Sequence, residues 1–131
     1  MSRQLKNLVT MLSAKAADGI GANINVTDFR HILLEFGTAS SANMTVKFQG
    51  SLSDTAPDFS AAQSVSNHWD YIGVYDLQSG NIIAGDTGIA LAAADDFRLL
   101  MVNTDGLKWV NAIVSSYVAG SVTVKVRCFN D

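Results

Sequence analysis

The sequence predicts an all-β domain, an antiparallel β-sandwich or jelly roll carrying a short N-terminal helix or extended arm. Three observations support this. All of the 12 acidic residues except Glu35 are Asp. Asp bonds its own backbone in turns and is poor inside helices and strands, whereas Glu is a good helix former, so a helical domain would use both. Between the Asp residues run short segments in which apolar and polar residues alternate with period two. Six or seven such segments, separated by Gly, Ser, Asn and Asp, follow one another at the spacing of an antiparallel sandwich. With 131 residues, 48% of them apolar, the chain has enough core for one domain.

Residues 1–22 are read as the arm or short helix, and 23–131 as the sandwich. Leu5, Leu8, Val9 and Leu12 fit one helical face, and Arg3, Lys6 and Lys15 make the segment basic. Its apolar stretch is interrupted by Thr10 and Ser13 and is far shorter than the roughly 18 residues of a membrane span, so a soluble chain without an export signal is expected. Phe29 to Phe36 reads as a buried strand, and Met44, Val46 and Phe48 alternate with Thr45, Lys47 and Gln49. The small polar residues Gly37 to Asn43 between these runs predict a loop across which they pair. Gly50 to Asn67 is a long polar connection containing the single proline, Pro57, and anchored by Phe59 and Val65; connections of this length in a compact domain tend to make contacts.

From Trp69 to Asp76 a strand carries aromatic residues on one side and aliphatic residues on the other, so both faces must touch something. Gln78 to Asn81 and Gly85 to Gly88 are turns on either side of the short strand Ile82 to Ala84. After an Ala-rich and then acidic stretch, Ala90 to Asp96, the residues Phe97, Leu99 and Met101 alternate with Arg98, Leu100 and Val102. Asn103 to Gly106, with its Asp-Gly step, predicts a hairpin to the strand Leu107 to Tyr117. Ala119 and Gly120 form the next turn. Val122, Val124, Val126 and Cys128 then give the last strand one apolar face opposite Thr123, Lys125 and Arg127.

Charged residues make up 16% of the chain and the net charge is −3, so there is no electrostatic footprint for nucleic acid. One cysteine, Cys128, leaves no intrachain disulfide and no sulfur-rich metal site. Asp86-Thr87-Gly88 is the tripeptide that carries the catalytic aspartate of aspartic proteases, which would require a retropepsin-like homodimer sharing a proton between two such residues. Gly85 stands where a hydrophobic strand should lead in, and the chain after Gly88 already holds a predicted hairpin and strand. A tight turn in which Asp86 accepts backbone hydrogen bonds is therefore favoured.

His31, His68 and Asp70 lack further ligands for a metal, and Ser51, Ser53 and Ser60 have no nucleophile-elbow context. Asp54, Asp58, Asp95 and Asp96 match no calcium-loop spacing and read as solvated turns. No catalytic residue, cofactor or metal is expected. Trp69, Tyr71, Tyr75 and Trp109 are candidates either for a core or subunit interface or for the stacking platform of a carbohydrate-binding module, with the first reading favoured. With Phe59 they form the set of interface candidates.

The run Thr45-Val46-Lys47-Phe48-Gln49-Gly50-Ser51, then Pro57-Asp58-Phe59, Asn67 through Asp76, Gly85-Asp86-Thr87-Gly88 and Val102-Asn103-Thr104-Asp105-Gly106-Leu107-Lys108-Trp109-Val110 resembles small virion structural proteins of tailed bacteriophages. The resemblance covers the chain from about Asn25 onward and is one of ordered motifs rather than catalytic residues. It implies a non-enzymatic sandwich or jelly-roll subunit located in the virion, a head decoration or cement protein. Such a subunit would form homotrimers and bind the major capsid protein on the capsid lattice, with a tail or adaptor component as the alternative. The basic N-terminal segment would then serve as a gripping arm, and many weak contacts would add up across the lattice.

Overall fold

The computed structural model describes the backbone of residues 4–5, 8–104 and 106–130 and the side chains of 8–104 and 106–129. Among these residues there is no helix. Eleven strands form one hydrogen-bonded sheet: β1 (Gln4–Leu5), β2 (Val9–Lys15), β3 (Gly19–Ile20), β4 (Ile24–Asn25), β5 (His31–Ser51), β6 (Asp70–Ile72), β7 (Val74–Asp76), β8 (Ile82–Ile83), β9 (Ile89–Ala92), β10 (Phe97–Asn103) and β11 (Trp109–Asn130). Every pairing is antiparallel.

Two strands, β5 with 21 residues and β11 with 22, organise the rest. They pair with each other from His31↔Phe129 to Ser51↔Trp109 and bend together midway, at Ser40 and Ser41 in β5 and at Ser116 to Gly120 in β11, where the register shifts. Each long strand therefore contributes to two leaves. In the first leaf residues 31–39 and 121–130 are flanked by β10, β7 and β8 on one side and by β1 and β2 on the other. In the second, residues 43–51 and 109–115 are flanked by β6 and β9 and by β3 and β4.

Alternation then decides which side chains are buried. Ile32, Leu34 and Phe36 point inward from one half of β5, and Ala42, Met44, Val46 and Phe48 from the other. Val110, Ala112 and Val114 match them from β11, as do Val122, Val124, Val126 and Cys128, and all belong to one core. The strand from Trp69 to Asp76 breaks at Gly73, so that β6 joins the second leaf while β7 joins the first. Its two faces meet different neighbours because it changes leaf.

Three expectations are corrected. The runs 29–36 and 44–48 do not pair across a loop at 37–43; they are the two halves of β5, and each pairs with β11. Ser40 and Ser41 have φ of +63° and +56°, a left-handed pair that turns the strand without ending it. The predicted hairpin at 103–106 is also absent as a pairing. Its turn exists, with Gly106 at φ +85° and Leu107 N–H donating to the Thr104 carbonyl at 2.8 Å, while Asp105 lies outside the described residues. Yet β10 pairs with β5 and β7, because this turn carries the chain from the first leaf to the second, and β5 separates β10 from β11. Finally, the helical alternative for the N-terminal segment gives way to strand β2. Register shifts against β11 put Met11 and Leu12 inward in succession, a local break in period two that imitates helical spacing. Arg3 and Lys6 lie outside the described residues.

An aspartate holds each bend. Asp95 accepts from Ser41 N–H at 3.2 Å, Ala42 N–H at 3.1 Å and the Thr38 hydroxyl at 3.3 Å. Asp18 accepts from Tyr117 N–H at 2.9 Å, and the Tyr117 hydroxyl donates to the Gly120 carbonyl at 2.8 Å. Backbone N–H donors at Ala42 and Ser41 hold the Asp95 carboxyl below its usual range. A depressed folded-state pKa gives stability that is present above the unfolded value and is lost as pH falls through the folded one. Asp95→Asn is therefore expected to flatten the acid limb of a melting-temperature profile below about pH 4. Asp54 and Asp58 are lowered as well but remain in both proteins, so the difference isolates Asp95. An unchanged limb would remove the clamp's role.

Candidate interaction surfaces

Residues 52–69 fold over the outer face of the second leaf and create a small core of their own. Phe59 is fully buried, its ring 5.9 Å from that of Trp69, which in turn meets Tyr71 edge-on at 5.0 Å. Beneath them Gln49, on the outward side of β5, is also fully buried and donates from Nε2 to the Phe59 carbonyl at 2.9 Å. Lys47 places Nζ 4.9 Å from the Tyr71 ring centroid, a cation–π contact. The loop is closed at its base by the Ser51 hydroxyl donating to the His68 carbonyl at 2.7 Å and by the ion pair of Lys108 with Asp54. A cleft of about 650 Å³ runs beside it, with Leu52, His68, Tyr71, Ile72 and Leu107 in its walls. At the exposed side Leu52 is 66% and Val65 95% accessible, so Phe59 anchors the connection and the expected anchor role of Val65 is corrected.

The sequence-derived candidates are thus divided. Phe59, Trp69 and Tyr71 come together, but Phe59 and Trp69 lie inside the subunit. Trp69 has 4% of its surface exposed and offers no stacking platform for a sugar. Tyr75 and Trp109 stand apart from this cluster and are half buried. Tyr75 lines a separate hollow with Ile82 and Met101, and Trp109 pairs in register with Asn25 and Ser51.

Asp86-Thr87-Gly88 forms a turn, but the Ala84 carbonyl closes it, accepting from Thr87 N–H at 3.2 Å and Gly88 N–H at 3.0 Å. The Asp86 side chain is exposed and does not cap it, so this detail of the turn reading is corrected. His31 stacks on Phe129 with centroids 5.4 Å apart, and His68 adopts φ +58° at the end of the long loop. Among the described residues no three His, Cys, Asp or Glu side chains gather as they would around a metal.

The acidic side chains instead shape backbone. Besides the two bend clamps, Asp58 accepts from Ser60 N–H at 3.0 Å, and Asp76, nearly buried, accepts from Gln78 N–H at 2.9 Å. Arg98 joins two of them, with Nε 2.7 Å from Asp96 and a terminal nitrogen 3.5 Å from Asp76.

One surface was not singled out from the sequence. On the outer face of the first leaf Leu33 of β5 lies level with Met101 of β10, Glu35 with Leu99, and Gly37 with Phe97. Phe97 is 60% and Leu99 50% exposed. On the other side of β5, Lys125 is level with Glu35 and Arg127 with Leu33. Leu8, just before the Val9↔Val126 pair, lines a shallow hollow of about 370 Å³ together with Leu33, Glu35, Leu99 and Arg127. The signal was present in β10, whose two faces are both apolar although only one can enter the core.

The whole fold is similar to solved structures. It matches the SPBc2 prophage-derived protein YomS with a TM-score of 0.72 and 15% identity, over 99% of this chain and 96% of that one. It matches the PBSX exported protein XepA with a TM-score of 0.72 and 19% identity, over 99% of this chain and 39% of XepA. This chain therefore spans well under half of XepA, and at such identities the likeness is one of fold. No protein-family profile and no curated protein matches the sequence.

Proposed function

We propose that this chain is a non-enzymatic structural protein of a phage or prophage particle, and in the finer reading a head decoration protein that binds the major capsid protein and stabilises the lattice. The observation that carries the phage assignment is the end-to-end match of its fold to a prophage product, YomS. The decoration role rests on the resemblance of its ordered motifs to small virion proteins and on surfaces suited to docking.

The long loop is the proposed capsid contact. Its inner part is fastened through Phe59 and Gln49, while Leu52 and Val65 stand exposed on its outer side, where a partner could cover them. Repetition over a lattice would multiply these modest contacts. Purified protein mixed with undecorated capsids should add density at lattice positions in electron micrographs. Val65→Asp should reduce occupancy while leaving the melting temperature unchanged. Capsids that gain no density would refute the decoration role.

A further inference from the structure

We infer that the outer face of the first leaf pairs with the same face of a second copy about a two-fold axis parallel to the strands, between β5 and β11. This inference is independent of the proposed capsid contact, which lies on the other leaf.

The column order across the sheet carries it. Reading outward from the axis, one side presents Lys125 and Arg127 on β11 and then Leu8 near β2. The other presents Glu35 and Leu33 on β5 and then Phe97, Leu99 and Met101 on β10. A two-fold rotation about that axis lays β11 of one copy over β5 of the other, so Lys125 faces Glu35, with Arg127 one step along over Leu33. The same rotation lays Leu8 over Met101 and Thr10 over Leu99 on the β10 flank. Both copies supply both halves, as an isologous contact requires.

Two alternative axes fail this test. An axis along β5 itself would put Lys125 over Leu99 and Arg127 over Met101 and leave Glu35 without a cation, and one crossing the strands would bring the cationic column against itself. Within the subunit Glu35, Lys125 and Arg127 form no ion pair among the described residues, which leaves their charges available across the contact. Covering Phe97 and Leu99 supplies the apolar gain, and the charges select the orientation. A pair of this kind differs from the trimer implied by the resemblance to virion proteins, and the mass of the assembly distinguishes the two.

Sedimentation equilibrium of the full chain over a range of concentrations tests this. A mass of two chains is expected, with Leu99→Asp and Phe97→Asp giving monomers of unchanged circular dichroism. Glu35→Lys should weaken association about tenfold, and Glu35→Lys combined with Lys125→Glu should restore it. A monomer at every concentration, a trimer, or a dimer indifferent to Leu99→Asp would each overturn the inference. So would a dimer that Glu35→Lys leaves intact, even if the Asp variants fail to fold.

Discussion

Replacing Gly120 by Val is expected to destabilise the whole domain by ~3–5 kcal/mol, from left-handed backbone strain together with overpacking. Gly120 has φ +83°, where a β-branched residue is strained. A Cβ there would stand 2.5 Å from Ala42 Cα and 2.8 Å from the Ala39 carbonyl oxygen. Both obstacles are backbone of the facing bend in β5, so no side chain can rotate away. Relief requires the two bends to separate, and these are the points through which both leaves are joined. Chemical denaturation should show the midpoint falling with one transition retained. A variant within about 1 kcal/mol of the parent, the size of an ordinary substitution, would mean that the bends do not pack as described.

Phe59→Ala should show a different pattern. Truncating a fully buried Phe costs about 3–5 kcal/mol in a core that cannot collapse. Here the side chain belongs to the lid on the second leaf, packed on Trp69 and over Gln49, not to the sheet's interior. Most of the loss should therefore appear as local opening of residues 52–69. Limited proteolysis should cut within that segment at temperatures where the sheet's circular dichroism is unchanged. Gln49, whose Oε1 has no partner among the described residues, would then gain water. Equal resistance of variant and parent would show that the lid is held by something other than Phe59.

These positions show where sequence reasoning succeeds and where it stops. Several inward faces can be read directly: alternation picks out Met44, Val46, Val122 and Val124, because burial of one face imposes period two on residue type, whereas the continuous run at 32–34 does not show that Leu33 faces outward. Gly106 at positive φ was likewise visible from its Asp-Gly context. Pairing partners were not visible. Gly37 to Asn43 has a loop's composition, and nothing local distinguishes a strand that bends from a strand that ends; Asp95, which settles it, is more than 50 positions away.

The Asp-Gly cue failed as a hairpin for a related reason. Turn chemistry fixes the turn, but which strand lies alongside depends on β5, which is remote in sequence. Among candidate contacts, residue type marked Trp69 and Phe59 as valuable without showing that the long loop would bury them. Phe97 and Leu99 were readable as apolar but not as exposed, since only the assembled sheet shows which face of β10 the core takes.

The shared bend of β5 and β11 also governs how load moves through the molecule. Because the same two backbones run through both leaves, tension applied at the long loop on one leaf passes along continuous covalent chain and its ladder of hydrogen bonds to the opposite leaf, without crossing a hinge or a linker. The two leaves cannot slide past one another as separately packed sheets could. Pulling the leaves apart would have to open the bends at Ser40 and Ser41 and at Ser116 to Gly120.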